Sequence, residues 1–219
     1  MIAAEFISHL LTPLRTSDSG EEALTIMNVY HVKHLPIVNN EKLLGTISED
    51  DILGHELTEP IGSYGLSLLK GFVNKEDHLF EVMGKMAEYK LTTIPVIDDD
   101  DTYLGAITQE ELIHFYADSF SFKEPGSILV LEMHKRDYSL AEISRIIESE
   151  NIAILSTFLT TKPDTEQVFV TLKINSQDAK HAIATLQRYD YTIRASFTEA
   201  TFVQNLKERY DALMSYLNV

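Results

Sequence analysis

The sequence predicts an α+β protein in two parts: a duplicated helix–strand–strand–helix unit, then a β-α-β-β-α-β domain closed by one further helix. Three observations carry this reading. One residue pattern is written twice before residue 118, the order of elements changes after the Pro125-Gly126 turn signal, and charge divides unevenly across that point. Residues 1–124 hold 8 Lys and Arg against 22 Asp and Glu, a net of −14, whereas residues 125–219 hold 10 against 12, a net of −2. A chain of 219 residues suits two compact units.

The first copy opens with Thr16-Ser17-Asp18. Asp18 stands where a helix N-cap belongs, and Ala23, Met27 and Tyr30 fall on one helical face. Leu35-Pro36-Ile37-Val38 reads as a short apolar strand, with the proline near its start, where no ladder donor is required. A polar turn at 39–42 leads to a second strand at 43–47, and Ser48 caps a closing helix. The second copy repeats this with Asp77, Met83, Met86, Tyr89 and Leu91, strands at 94–97 and 103–107, one extra residue in the turn, and Thr108 as the cap. Neither copy has enough apolar residues for a core of its own, so the two should pack through their strands.

Beyond residue 127 the order changes. Strands are expected at 128–131, 152–161, 167–174 and 191–197, and helices at 140–147 and 177–189, the first opened by the capping box Ser139-Leu140-Ala141-Glu142. Residues 199–219 form a last helix, with Val203, Leu206, Tyr210, Leu213 and Leu217 on one face, which must bury against its own domain or a twin subunit.

Composition excludes several functions. With no cysteine there is no disulfide, Fe–S cluster, thiolate zinc site or Cys nucleophile. An acidic first half makes nucleic acid a poor partner. No apolar run approaches the ~20 residues of a membrane span, and the N-terminus, with Glu5 so early, is no signal peptide, so a cytoplasmic location is expected. No nucleophile, base and orienting group converge, so no catalytic residue is assigned. His31 and His34 have metal-like spacing but no further ligands, and the acids at 98–101 read as a solvated hairpin turn, so no metal site is assigned either.

On Leu35-Pro36-Ile37-Val38, Gly45-x-Ile47-Ser48-x-x-Asp51 and their second copies, residues 1–118 resemble a tandem pair of CBS (cystathionine-β-synthase-type) domains, a Bateman module. Repeat 1 would span 1–58 and repeat 2 would span 59–118. The resemblance implies a cleft between the repeats for a regulatory adenosyl ligand: AMP, ATP, another adenine nucleotide or S-adenosylmethionine. It assigns the ribose hydroxyls to Asp51 and Glu111, and the phosphate or nearby backbone to Ser48 and Thr108. Val32, Lys33, Leu91 and Thr92 would cradle the base, with Lys33 reaching a phosphate. A carboxylate suits a vicinal diol because it only accepts hydrogen bonds. Glu111 stands where the family has Asp, and its extra methylene moves the carboxylate by ~1.5 Å. Ser48-x-x-Asp51 and Thr108-x-x-Glu111 are also ordinary capping boxes, so a ligand site and a plain cap both stay open at each, with Thr108/Glu111 closer to a plain cap. The net −14 favours neutral or cationic adenosyl compounds over a triphosphate, unless Lys33, Lys42, Arg15 or a divalent cation compensates.

After a linker at 119–127, residues 128–198 resemble an ACT domain, a ferredoxin-like split βαβ arrangement, and the whole order resembles the acetoin-utilisation protein B type. ACT domains bind amino acids where the loop after strand one meets the first helix. Here that loop offers His134, Asp137 and Ser139 and lacks glycine, so an amino-acid site and a fold used only for pairing both stay open. The expectation is a non-catalytic sensor with no required cofactor, a homodimer that relays ligand binding to a regulated protein. The alternatives are a ligand-free dimerisation scaffold and an amino-acid sensor.

Overall fold

The computed structural model describes residues 1–8, 10–65, 71–198, 214 and 216. The chain divides into two compact units, Met1–Phe115 and Tyr116–Val219.

In the first unit the duplication is plain. One copy comprises α1 (Gly20–Val29), β1 (His34–Asn39), β2 (Lys42–Ser48) and α2 (Glu49–Leu53). The other comprises β3 (Val73–Asn74), α3 (Leu79–Glu88), β4 (Thr93–Ile97), β5 (Tyr103–Thr108) and α4 (Gln109–Ser119), whose end crosses into the second unit. β1 and β2 pair antiparallel with His34 opposite Ser48, and β4 and β5 pair with Thr93 opposite Thr108. Each hairpin slips register once at the equivalent place, between Ile37 and Val38 and between Val96 and Ile97. Opposite each slip stands a glycine at positive φ, Gly45 at 154° and Gly105 at 151°, a backbone that side chains rarely adopt.

The helix caps lie one residue later than the acids suggest. Ser19 caps α1: its hydroxyl accepts the Glu22 N–H at 3.3 Å and its own N–H donates to the Glu22 carboxylate at 2.8 Å. His78 caps α3, its ring accepting the Phe80 N–H at 3.2 Å. Asp18 and Asp77 instead accept the N–H of Arg15 and Asn74, at 2.8 and 2.9 Å. Each acid is consumed in fastening the turn that leads into the helix, and the residue behind it takes the extended conformation a cap needs.

Two apolar cores result. One gathers Leu14, Leu35, Ile37, Ile47 and Ile52 under Ala23 and Met27 of α1; the other gathers Val73, Leu79, Val82, Leu91, Ile94, Val96 and Ile107. Ala106 of the second copy sits in the first core. Residues 1–8 cross the other way: Ala3 N–H donates to Asp77 O at 2.9 Å, Ser8 N–H to Ala106 O at 2.8 Å, and Ala3 lies in the second core. The chain therefore begins on the second copy before building the first.

The second unit holds β6 (Ser127–His134), α5 (Leu140–Glu148), β7 (Ile154–Thr161), β8 (Gln167–Ile174), α6 (Lys180–Arg188) and β9 (Thr192–Phe197). Its sheet runs β7-β8-β6-β9 with every pair antiparallel. β8 alternates strictly, burying Val168, Val170, Leu172 and Ile174. Val170, Leu172 and Ile174 join a core with Ile143, Ile146 and Ile147 of α5 and Ala182 and Leu186 of α6. Ser139 caps α5 by accepting the Glu142 N–H at 3.3 Å, while the Glu142 carboxylate accepts the Tyr191 hydroxyl, also at 3.3 Å. The helix expected at 199–219 lies outside the described residues apart from Met214 and Tyr216. Among the described residues no helix is long and apolar enough to cross a membrane.

Candidate functional site

Ser48 ends β2 and opens α2, so its hydroxyl and Asp51 face one another across the first helical turn. Ser48 donates to Asp51 Oδ2 through its N–H at 3.0 Å and its hydroxyl at 2.6 Å, and the Asp51 N–H returns a bond to Ser48 Oγ at 3.1 Å. Thr108 and Glu111 repeat this at the start of α4. Thr108 N–H donates to Glu111 Oε2 at 3.0 Å, its hydroxyl donates to the same oxygen, and the Glu111 N–H donates to Thr108 Oγ1 at 3.3 Å. The longer glutamate thus closes its cap as completely as aspartate does. In both cases capping occupies one carboxylate oxygen, and Asp51 Oδ1 and Glu111 Oε1 carry no hydrogen bond among the described residues. A cap and a ligand contact are compatible at each.

The base-cradling positions come in equivalent pairs. Val32 and Leu91 are core residues, 6% and 0% exposed, so only their backbone is available to a ligand. Lys33 O accepts the Glu49 N–H at 2.9 Å, and Thr92 O accepts the Gln109 N–H at 3.0 Å, tying each position to the helix of its own copy. The Lys33 ammonium extends into solvent, 3.2 Å from Glu49.

These positions also meet each other. Lys33 N–H donates to Thr92 Oγ1 at 2.8 Å, and Thr93 Oγ1 donates to His34 O at 2.8 Å. His34 Nδ1 accepts the Thr92 N–H at 3.2 Å and lies 3.1 Å from Thr92 Oγ1. A backbone N–H can be given only to a bare ring nitrogen, so this hydrogen bond belongs to the neutral imidazole. Burial pushes its pKa below the ordinary value, against the pull of Asp51 and Asp50, with Lys33 adding to the lowering. Neither His34 nor Thr93 stood out in the sequence as a site residue. The available signal was their place directly before Leu35-Pro36 and Ile94-Pro95, beside the presumed cradle.

A second seam joins the hairpin tips. Lys42 and Thr102 form an antiparallel bridge, and Tyr103 N–H donates to Glu41 O at 2.8 Å. Beside these tips lie cavities of about 800 and 360 Å³, the larger near Arg15 and Tyr103, the smaller near Lys42 and Phe72. The acid run at 98–101 closes its own turn, Asp98 accepting the N–H of Asp100 and Thr102 at 3.0 and 2.9 Å. The Thr102 hydrogen bond holds the Asp98 pKa below its ordinary value. His31 is exposed, and no group of three or more His, Asp or Glu placed to hold a metal occurs among the described residues.

In the second unit, His134 and Asp137 both line a cavity of about 590 Å³, together with Glu142, Tyr189 and Tyr191. His134 caps a short turn by accepting the Arg136 N–H at 3.4 Å, Asp137 pairs with Arg136 at 3.4 Å, and Ser139 is engaged in capping α5.

Comparison with known proteins bears on the first unit. The CBS domain pattern matches residues 5–57 and 71–118. Inosine-5'-monophosphate dehydrogenase of Korarchaeum cryptofilum is 26% identical over 127 residues, covering 55% of this chain and 25% of that protein. The chain spans only a fifth to a quarter of the length of the curated relatives it matches. Among solved structures, a CBS domain pair/ACT domain protein from Thermotoga maritima aligns over 54% of this chain and 98% of its own, at 18% identity and a TM-score of 0.48. The CBS domain pair of protein MJ0100, in complex with 5'-methylthioadenosine and S-adenosyl-L-methionine, aligns over 54% and 97%, at 23% identity and a TM-score of 0.43. The first half of this chain is a tandem pair of CBS domains.

Proposed function

We propose that this protein is a non-catalytic sensor that takes an adenosyl ligand between its CBS repeats, with the Ser48/Asp51 site as the principal one, and relays occupancy to a regulated protein as a homodimer. The observation that carries this reading is the spare carboxylate oxygen. Capping uses Asp51 Oδ2 alone, and Oδ1 is left as an acceptor for a ribose hydroxyl, with Lys33, paired to Glu49 of the same helix, as the cation of this copy. The same spare oxygen at Glu111 makes the second site a weaker equivalent, one methylene out of place. Neutral and cationic adenosyl compounds are the favoured class, because a triphosphate must enter a segment of net charge −14.

Residues 128–198 are read as an ACT-type ferredoxin-like domain, a reading supported by the element order and by the sheet order β7-β8-β6-β9. The cavity beside His134 and Asp137 supports a second function there, amino-acid sensing. The acetoin-utilisation type is the kind of protein that this order of domains resembles, and the cytoplasm is the location we assign it.

Thermal denaturation with a panel of adenosine, methylthioadenosine, S-adenosylmethionine, AMP and ATP tests the adenosyl reading. A ligand at 100 times its Kd stabilises by about 2.7 kcal/mol, a shift of several degrees. The shift should vanish in Asp51→Asn, which keeps a capping acceptor, and persist in Glu111→Gln. Stabilisation by no compound leaves the ligand-free scaffold, and stabilisation only by free amino acids leaves the second unit as the sensor.

A further inference from the structure

The seam at the start of β1 and β4 contains one titratable side chain whose own hydrogen bond crosses between the repeats, His34, and that bond depends on its charge. His34 Nδ1 accepts from the Thr92 backbone, and Thr92 Oγ1 accepts directly from the Lys33 backbone, so the imidazole supplies the one side-chain acceptor that ties the Thr92 N–H to the first repeat. A proton on Nδ1 removes the acceptor and leaves the Thr92 N–H unpaired in a partly buried position. The charged groups that act on the ring are Asp51 and Asp50 of α2 and the Lys33 ammonium, while from the second repeat the uncharged Thr92 meets the ring and Thr93 bonds the His34 carbonyl. A cationic ring is therefore drawn towards the α2 carboxylates, where Asp51 Oδ1 is open.

We propose that His34 is a protonation-controlled latch between the two CBS repeats, closed when the ring is neutral, and that the Ser48/Asp51 cleft holds its adenosyl ligand tightly only while the latch is closed. The second half rests on the adenosyl reading of that cleft. Both consequences of protonation act in one direction: the Thr92 backbone N–H loses its partner on the first repeat, and Asp51 gains a competitor for its free oxygen. By reciprocity, bound ligand holds His34 in the neutral form. The folded protein favours neutral His34, so the latch's stabilisation is fully present above the unfolded imidazole pKa of about 6.5 and is lost as pH falls through the lower folded value.

Nuclear magnetic resonance on the full chain without ligand tests the latch. The His34 ring should titrate below about pH 6.5, and the Thr92 amide should shift with the same midpoint and lose exchange protection by about tenfold, corrected for intrinsic exchange. Calorimetry with adenosine, a nucleoside without phosphate, tests the cleft. Affinity should fall about fivefold from pH 7.5 to 5.5 in the wild type and stay flat in His34→Asn, whose Oδ1 supplies a non-titrating acceptor. A Thr92 amide indifferent to His34 titration overturns the latch, as does a pH dependence that survives in His34→Asn. Coupled titration of His34 and Thr92 with no adenosine binding at any pH upholds the latch and overturns the adenosyl reading alone.

Discussion

At position 103 a tyrosine hydroxyl is buried among the hairpin tips with no hydrogen-bond partner among the described residues, and the Thr46 hydroxyl is buried in the same condition. Burial alone raises the Tyr103 pKa far above the ordinary phenol value. An unpaired buried hydroxyl costs desolvation with no return. Tyr103→Phe should therefore leave stability unchanged or raise it by up to about 1 kcal/mol in urea denaturation, where the loss of a useful hydrogen bond would lower it. Residues of this kind show which parts of a site are legible. Ser48 and Asp51 stood out because capping and diol binding need the same residue types three apart, a purely local pattern. The partnership of His34 with Thr92 spans 58 residues and depends on how two repeats face each other, which no local periodicity encodes. The His78 cap was missed for a different reason: a ring nitrogen does there what Ser or Asp usually does, and Asp77 beside it looked the better cap.

Among the elements, the duplicated hairpins depend on Gly45 and Gly105. A Cβ at Gly105 would collide with Ile7, and the φ of 151° is unfavourable for any side chain. Gly105→Ala should cost about 2–4 kcal/mol in urea denaturation, more than a surface substitution allows. A cost within about 0.5 kcal/mol would show that the N-terminal segment gives way freely. The order of the helices and longer strands was legible because apolar spacing changes sharply between the helical and strand periods, but the two-residue β3, which pairs parallel with β4, was not. Boundaries were less so. α6 starts at Lys180, three residues later than the apolar pattern suggests, because Asp178 turns back to accept the Lys180 N–H at 3.0 Å and fixes the start there. The crossing of residues 1–8 onto the second copy was invisible, since its backbone bonds to Asp77 and Ala106 place no demand on side-chain type and Ala3, Phe6 and Ile7 pack against residues far along the chain.

For the whole molecule the governing quantity is charge: −16 in all, of which −14 belongs to residues 1–124. Like charges in a folded unit repel, and salt shortens the reach of that repulsion from about 10 Å at 0.1 M to about 3 Å at 1 M. Raising sodium chloride over that range should therefore raise the Tm by a few degrees, and a falling Tm would mean that the nine ion pairs among the described residues outweigh the repulsion. The arrangement of the CBS pair also has a mechanical side. The tip seam joins Lys42 to Thr102, which hold the same place in their two copies, and the other seam joins Lys33 and His34 to their own counterparts, Thr92 and Thr93. The repeats are held together at two separate places, each time by residues that occupy equivalent positions in the two copies. A change at one of these positions therefore removes a contact whose other half is that position's own counterpart in the second copy.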